Sequence, residues 1–457
     1  MSSNGQAITL WFAKALLPQG WAADVRIILA GGLIAEVAPG MPPERDDERH
    51  AIGLPGLPNL HSHAFQRGMA GLAERRGPSS DSFWTWREIM YRFVDRIGAA
   101  ELEAIAALAF AEMLESGFTR VGEFHYLHHD PNGGSYANPA EMAVAIAAAA
   151  AQTGIALTLL PVFYAHSGFG GAAPGHEQRR FLNSLDSFAE LIGASARAVA
   201  GLPDSVLGIA PHSLRAVTPD ELATIVPLAA SGPVHIHIAE QMREVEDCLA
   251  WSGARPVEWL LDHAAVDDRW CLVHATHMTN EETKRLAASG AVAGLCPITE
   301  ANLGDGMFPA IEFLAAGGRF GIGSDSNVLV DATEELRLLE YGQRLAARGR
   351  NLLANGEGRS TGGDLYRAAL DGGAQALGAP AALAPGCPAD IVSLDATHPA
   401  LVGREDDALL DALVFAGGRS LIDGVWRAGR KCVSQGRHHE RDAISARYRR
   451  VLQDLIA

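Results

Sequence analysis

The strongest constraint on the fold of this chain is the alternation of short apolar segments with longer helical patterns between residue 54 and about residue 325. Short apolar runs bounded by Gly and Pro are typical of buried strands, and parallel strands need a crossover, usually a helix, between them. The predicted strands cover residues 56–63, 119–126, 156–164, 206–214, 234–240, 270–274, 291–297 and 320–325. Eight strands, each followed by a helix or loop, predict an α/β chain whose main body is a (β/α)8 TIM barrel.

Shorter strands and turns lie on both sides of this region. Residues 8–12 and 25–29 precede it and are rich in β-formers, with a Gly-containing turn at 30–32. The matching segments after it are residues 389–394, 412–415 and 424–429. We predict that the two chain ends pair to form a small β-sandwich domain. The predicted divisions are 1–55 and 378–436 for this domain, 56–377 for the barrel, and 437–457 for a charged C-terminal helix.

Composition excludes several classes of partner. The chain has 457 residues and a formal net charge of −17, which argues against nucleic acid or an anionic membrane surface as a partner. Its five cysteines are scattered, odd in number and without a Cys-x-x-Cys pair, a pattern typical of a reduced protein. The first residues lack the features of a signal peptide, and no apolar run is long enough to span a membrane. We therefore expect a cytoplasmic location.

Two histidines at the end of the first predicted barrel strand indicate a metal site. His61 and His63 are two residues apart, so their side chains point to the same side of the strand. The alternative is two unrelated polar residues at a strand tip. Further polar residues at other strand ends favour the metal: His237 as a third ligand and Asp325 as a fourth. His235 lies deeper on its strand and is predicted to be structural.

The same strand ends carry candidates for proton transfer. Glu240 stands three residues beyond a predicted ligand and is placed to move protons between water and substrate. His274 is placed to orient the attacking water, and Asp325 to accept its proton; with zinc this set produces a hydroxide nucleophile near neutral pH. The alternatives are an N-cap or ion-paired role for Glu240 and a helix-capping role for Asp325. His277, which lies in the following loop, is predicted to be structural.

Several residues near these strand ends are candidates for substrate binding. Arginine is suited to a bidentate contact with a carboxylate. The candidates are Gln66, Arg87, Tyr126, His212 and Arg215. For each alone, a solvated surface role is the alternative. Residues 82–87, which include two tryptophans, are predicted either to cover the pocket or to pack as plain core. The cluster of His125, His128 and His129 stays open between ligands of a second metal and other roles.

The chain resembles the amidohydrolase superfamily, in the branch that holds mononuclear zinc deaminases. The motifs that carry the resemblance are Pro58-Asn59-Leu60-His61-Ser62-His63, His237-Ile238-Ala239-Glu240, His274, Gly323-Ser324-Asp325, and residues 385–392 near the return to the small domain. No Lys stands at the end of the fourth strand, where dinuclear members carry a carboxylated lysine. That difference implies one metal ion.

Within this branch the chain is most similar to the formimidoylglutamate deiminase family. The segments that suggest it are residues 61–68, 83–88, 123–129 and 211–215. The resemblance implies one zinc ion per subunit on His61, His63, His237 and Asp325, with iron(II) as an alternative. It also implies hydrolysis of N-formimino-L-glutamate in histidine degradation, a small dicarboxylate substrate and a homodimer. The alternatives are a deaminase of purines or other heteroaromatic amidines and, in another class, a catalytically silent binding module.

Overall fold

The computed structural model describes residues 8–76 and 83–457. The first seven residues of the predicted β-domain and Ser82, the first residue of the predicted pocket cover, lie outside these ranges. Within them, no helix is long and apolar enough to cross a membrane.

The structure contains strands and helices in the order that the sequence predicts. The strands are β1 (Ile8–Leu17), β2 (Gly20–Ala30), β3 (Leu33–Ala38), β4 (Glu48–Pro55), β5 (Leu57–Ser62), β6 (Phe118–His125), β7 (Ala156–Phe163), β8 (Val206–Leu207), β9 (Ala210–Pro211), β10 (Val234–Ile238), β11 (Trp270–His274), β12 (Val292–Leu295), β13 (Arg319–Ile322), β14 (Ile391–Leu394), β15 (Ile422–Arg427), β16 (Arg430–Ser434) and β17 (Arg437–His438). The α-helices are α1 (Phe83–Val94), α2 (Ala99–Glu115), α3 (Glu141–Thr153), α4 (Leu185–Val199), α5 (Pro219–Ile225), α6 (Met242–Ser252), α7 (Pro256–His263), α8 (Asn280–Ser289), α9 (Pro297–Leu303), α10 (Ala310–Ala315), α11 (Ala332–Ala347), α12 (Thr361–Ala376), α13 (Asp407–Ala412) and α14 (Arg441–Ile456).

The two chain ends form one mixed sheet of eight strands. Its order is β17-β16-β15-β14-β4-β1-β2-β3, so strands from the C-terminal end meet strands from the N-terminal end where β14 pairs with β4. A separate apolar cluster lies under this sheet and includes Phe12, Ile27 and Trp426, all buried. The predicted pairing of the two chain ends is therefore confirmed, in one mixed sheet where a β-sandwich was predicted, and the predicted domain boundaries stay predictions.

The strands β5 to β13 form the parallel barrel. They pair as β5-β6-β7-β8, with β9 beside β7, and as β10-β11-β12-β13. Parallel bridges from Ile209 to Val234 and from Ser213 to His237 join the first group to the second. A bridge from Ser62 to Asp325 joins the last strand to the first and closes the ring. The predicted α/β class with a TIM barrel is confirmed, and its closure brings the first and last predicted ligand strands together.

Local sequence signals set the ends of several barrel helices. Thr218 and Thr279 accept hydrogen bonds from the backbone N–H groups of Glu221 and Glu282, which makes both of them N-caps. Gly290 ends α8 in the left-handed conformation, with φ of 81°. Each helix therefore begins just after a loop from the strand before it, which leaves the strand ends free to present side chains.

The structure differs from the prediction at three segments. The predicted strand 206–214 is two short strands, β8 and β9, and Pro211 in this segment cannot donate to a neighbouring ladder. The predicted strand 412–415 is wrong: the end of α13 and a π-helical turn over Leu413–Gly417 occupy it. A short apolar run does not distinguish a strand from a buried helix by periodicity. Finally, α14 begins at Arg441, because Arg437–His438 pairs with β16 first.

Candidate active site

Four predicted metal ligands meet at the carboxyl end of the barrel. His61 and His63 lie at the end of β5, His237 lies in β10, and Asp325 follows β13; all four are buried. The Nε2 atoms of His61 and His237 are 3.0 Å apart. Asp325 Oδ1 lies 3.3 Å from His63 Nε2 and 3.5 Å from His61 Nε2. Tetrahedral zinc ligands at about 2.1 Å from the metal lie about 3.4 Å from each other, which agrees with this spacing.

The hydrogen bonds of two of these histidines direct their free nitrogens to one point. His63 Nδ1 donates to the carbonyl oxygen of Phe124 at 2.9 Å, and His237 Nδ1 donates to that of His212 at 3.1 Å. Each Nε2 atom is therefore left with a lone pair. Burial lowers the pKa of His61 to about 3 and also lowers the pKa of His63 and His237. Neutral imidazole is the form that binds metal, so these residues fit a divalent cation.

The backbone next to β13 holds Asp325 against the two histidines of β5. The Asp325 N–H donates to the His61 carbonyl oxygen, and the His63 N–H donates to the Asp325 carbonyl oxygen, both at 2.9 Å. Asp325 has a left-handed backbone with φ of 44°. Burial alone would raise the pKa of Asp325, but the hydrogen bond with His61 and the fields of His61 and His63 hold it well below its usual range. Its carboxylate is therefore ionised and available as a ligand.

A buried amide network below the cluster was not predicted. Asn327 Nδ2 donates to the carbonyl oxygens of His63 and Asp325, at 3.1 and 3.0 Å, and to Ser62 Oγ at 3.2 Å. Ser324 Oγ donates to Asn327 Oδ1 at 2.6 Å, and Asn59 Nδ2 donates to that same Ser324 oxygen at 2.7 Å. The network joins the first and last barrel strands directly below the ligands. The sequence signals for it are Asn59, inside the first ligand strand, and Asn327, two residues after Asp325.

Glu240 and His274 lie beside the cluster, as the sequence predicts. Glu240 Oε1 is 3.7 Å from His274 Nε2, and His274 Nδ1 donates to Glu300 Oε1 at 3.2 Å. Burial raises the pKa of Glu240 to about 7, against the opposing field of His274. Burial alone would lower the pKa of His274, but the carboxylates Glu240, Glu300 and Asp325 raise it to about 10. Glu300 orients His274 from α9, and no motif in the sequence pointed to it.

The predicted substrate-binding residues line a single pocket above the cluster. The pocket wall includes His63, His237, Glu240, His274 and Asp325 together with all five predicted residues: Gln66, Arg87, Tyr126, His212 and Arg215. Gln66 Nε2 donates to the Tyr126 hydroxyl at 2.9 Å, whereas Gln66 Oε1 is buried without a partner in the described structure. Arg215 Nε likewise lacks a partner there, although Arg215 is only 8% exposed. Both residues line the pocket, and each keeps one buried polar atom without a protein partner in the described structure.

The predicted pocket cover is the start of helix α1. Phe83, Trp86 and Arg87 lie in the pocket wall, followed by Met90 and Tyr91 on the same helix. The guanidinium carbons of Arg87 and Arg243 each lie 4.7 Å from the centre of the Trp84 ring. The wall also includes Tyr164, which follows β7 directly and was missed although the strand-end rule could have found it.

The other histidines of the strand ends take part in hydrogen bonds to the backbone. His235 Nε2 donates to the Ala376 carbonyl oxygen at 2.7 Å, which agrees with the predicted structural role. His128 and His129 donate to the carbonyl oxygens of Val162 and Leu182. Across residues 8–76 and 83–457, neither they nor His125 belong to a group of converging metal-ligand atoms. His128 and His129 therefore anchor backbone segments, whereas His125 Nε2 has no hydrogen-bond partner in the described structure and its role stays open.

Comparison with known proteins identifies the family. The model described as "Amidohydrolase family" matches residues 52–432. This chain belongs to the amidohydrolase family. The model described as "Formimidoylglutamate deiminase HutF, N-terminal domain" matches residues 9–51, which form part of the small β-domain.

Relatives of this amidohydrolase extend over nearly its whole length. A Pseudomonas aeruginosa protein described as formimidoylglutamate deiminase is 52% identical over 446 residues, which are 97% of this chain and 98% of that protein. A P. aeruginosa 8-oxoguanine deaminase is 28% identical over 454 residues, or 94% of this chain and 95% of that protein. The crystal structure of an amidohydrolase from Brucella melitensis has a TM-score of 0.96 and 57% identity, and covers 98% of this chain and 100% of its own.

Proposed function

We propose that this amidohydrolase hydrolyses N-formimino-L-glutamate to N-formyl-L-glutamate and ammonia, a step of histidine degradation. The observation that carries the proposal is a pocket in which two arginines, Arg87 and Arg215, lie above a cluster of metal ligands. A substrate with two carboxylates needs cationic anchors at a fixed distance from the reacting carbon. The 52% identical relative, described as formimidoylglutamate deiminase, supports the same substrate.

The ligand cluster suits a divalent cation, for which we propose zinc on His61, His63, His237 and Asp325. When bound, such a cation acidifies a coordinated water and so supplies a nucleophile near neutral pH. We further propose a cytoplasmic homodimer. The five free cysteines in the described structure support a reducing compartment. The homodimer rests on the family resemblance alone. Metal analysis and a molar mass in solution test these two points.

The residues of the chain have separate tasks in the proposed reaction. Arg215 and Arg87 bind the substrate carboxylates, while Gln66, Tyr126 and His212 add hydrogen bonds that orient the formimino group. Glu240 takes up a proton from the attacking water at its carboxylate and delivers it to the departing nitrogen, which receives its second proton from the hydroxyl group of the adduct as the new C=O bond forms. Its raised pKa of about 7 suits a group that both accepts and donates a proton near neutrality. His274 and Asp325 hold the water through hydrogen bonds, and ammonia leaves as the C–N bond breaks.

A second candidate function is deamination of a purine or related heteroaromatic amidine. The aromatic side chains in the pocket wall favour it, since a flat ring can stack there; they are Phe83, Trp86, Tyr91, Tyr126, Tyr164 and Phe181. The 28% identical relative described as 8-oxoguanine deaminase belongs to this class. The arginines of the pocket favour the dicarboxylate instead, because a neutral purine leaves their charge without a partner.

The first experiment measures ammonia release from the zinc-loaded protein with N-formimino-L-glutamate. N-formimino-L-aspartate, guanine and 8-oxoguanine serve as parallel substrates. We expect rapid release from formiminoglutamate, slower release from the shorter aspartate analogue and none from the purines. Release from a purine alone would establish the second candidate in place of the first.

A further inference from the structure

A buried cysteine lies beside the active-site cluster and has no part in the proposed reaction. Cys296 follows β12 and is fully buried. Its Sγ, one ring nitrogen of His274 and one carboxylate oxygen of Asp325 all lie within 4.8 Å of one another. A thiol, an imidazole and a carboxylate at this spacing are the ligand types that zinc and softer cations prefer.

The carboxylate of Asp325 faces two ligand groups at once. Its Oδ1 lies 3.3 and 3.5 Å from the Nε2 atoms of His63 and His61, on the side of the four-residue cluster. Its Oδ2 lies 3.7 Å from Nε2 of His274, the histidine that is grouped with Cys296. The two oxygens of one carboxylate can therefore serve two neighbouring cations.

The hydrogen bonds around His274 hold its ring in place, and a cation at Nε2 must displace the proton that the neighbouring carboxylates otherwise keep there. Its Nδ1 donates to Glu300 Oε1 at 3.2 Å, and the same oxygen accepts the backbone N–H of Cys296 at 2.9 Å. A carboxylate bound to the far nitrogen is the usual companion of a metal-binding histidine. Glu300 thus orients two of the three groups with one oxygen atom.

We propose that His274, Cys296 and Asp325 form a second cation site for zinc or cadmium, separate from the four-residue cluster. His274 and Asp325 line the pocket, so a cation reaches this site through the pocket mouth. Three protein ligands leave a fourth position for water. Occupation takes the Nε2 of His274 and one Asp325 oxygen away from the attacking water, so the second cation inhibits the enzyme. Only this inhibition, and not the binding itself, rests on the proposed function.

Binding is tested without any enzyme assay. The protein is loaded with one equivalent of zinc and titrated with Co²⁺, whose near-ultraviolet charge-transfer band reports a thiolate ligand. We expect one further equivalent of Co²⁺ to bind with this band in the unaltered protein. Cys296→Ser and Cys296→Ala should lose the band, and Cys271→Ala should keep it. Cys271 is the matched control, because it is equally buried and belongs to the same small apolar cluster as Cys296.

Inhibition is tested with the same variants. We expect excess zinc to inhibit the unaltered enzyme, and Cys296→Ser to keep most of its basal activity. The variant should need on the order of tenfold more zinc for the same inhibition, since loss of a supporting group typically weakens metal binding by about 10- to 100-fold. A titration without a thiolate band, a band that survives in both Cys296 variants, or equal zinc inhibition of the variant would each overturn the proposal. A band in a protein that does not act on formiminoglutamate would leave the second site standing and remove the proposed function.

Discussion

Replacement of Arg215 by methionine tests the proposed recognition of a carboxylate. Arg215 is 8% exposed, its Nε has no partner in the described structure, and no carboxylate lies within ion-pair distance of it there. Burial opposes its charge, but the fields of Glu244 and Glu240 raise its pKa, so the guanidinium stays charged. Removing one partner of a buried charge pair costs about 2–5 kcal/mol. At about 1.4 kcal/mol per factor of ten, kcat/KM should fall by about 30-fold to about 4,000-fold.

The assay follows ammonia from formiminoglutamate and from two analogues in which either the α- or the γ-carboxylate is an amide. The unaltered enzyme should discriminate strongly against the analogue that lacks the carboxylate bound by Arg215. Arg215→Met should no longer discriminate against this analogue, because the variant has no charge to pair with that carboxylate. It should still discriminate against the analogue in which the other carboxylate is an amide. Arg243→Met is the control. The guanidinium groups of Arg215 and Arg243 both lie over the Trp84 ring, but the Arg243 side chain is 64% exposed.

Stability separates a binding role from a structural one. Methionine keeps much of the buried apolar contact of the arginine stem. We therefore expect Arg215→Met to bind its full complement of metal and to unfold within about 2 °C of the unaltered protein, a shift that corresponds to less than about 1 kcal/mol. Unchanged kinetics would remove Arg215 from the substrate site. A large drop in melting temperature with loss of metal would instead show that Arg215 supports the fold.

Three further predictions concern the proton shuttle and the supports of the ligand cluster. Glu240 must begin the reaction ionised, so kcat/KM should fall as the pH drops through about 7, and a fall only near pH 4 would contradict this role. Glu240→Gln should retain metal but lose most of kcat at every pH. Asn327→Ala should weaken zinc binding by about 10- to 100-fold in a chelator competition, while Asn302→Ala, on the surface, should not. In Gly323→Ala the new Cβ would lie 2.8 Å from backbone atoms of His61, in the first ligand strand, so metal content should fall. Gly193→Ala on α4 is the control and should keep its metal, because the new Cβ would meet only Arg197 Nη1, at 3.8 Å.

The barrel and its predicted metal ligands were predictable because a buried strand and the polar residues at its end leave a recognisable sequence pattern. A fully buried strand reads as a continuous apolar run, and its last inward-facing residues are the ones that change to polar. His61, His63, His237 and Asp325 were found by this rule, and so were the pocket residues Tyr126 and His212, although their roles stay predictions. The ends of the barrel strands were placed within about three residues, except in 206–214, where the ladder is interrupted.

The position of helix α1, which carries Arg87, could not be predicted from the sequence. Its local sequence predicts a pocket cover or plain packing with equal ease. Its position depends on contacts distant in sequence: Arg180 donates to the carbonyl oxygens of Val94, at the end of α1, and of His129. Glu300 was missed for the same reason, since its role exists only because β11 and β12 are neighbours.

Backbone conformation was the least predictable property of the site, and it decides how the ligands meet. Four residues at the carboxyl ends of the barrel strands have positive φ, between 44° and 70°: Ala239, His274, Ala275 and Asp325. Each such residue costs about 1–2 kcal/mol relative to a regular conformation. Their side chains do not require this conformation, so tertiary hydrogen bonds must impose it. The Ala275 N–H donates to the Ile238 carbonyl oxygen at 3.0 Å, and Asn327 binds the Asp325 carbonyl oxygen at the same distance. Hydrogen bonds from groups outside the pocket wall therefore stabilise the strained backbone at the strand ends. These supporting residues are harder to recognise in the sequence than the predicted metal ligands and proton-transfer residues.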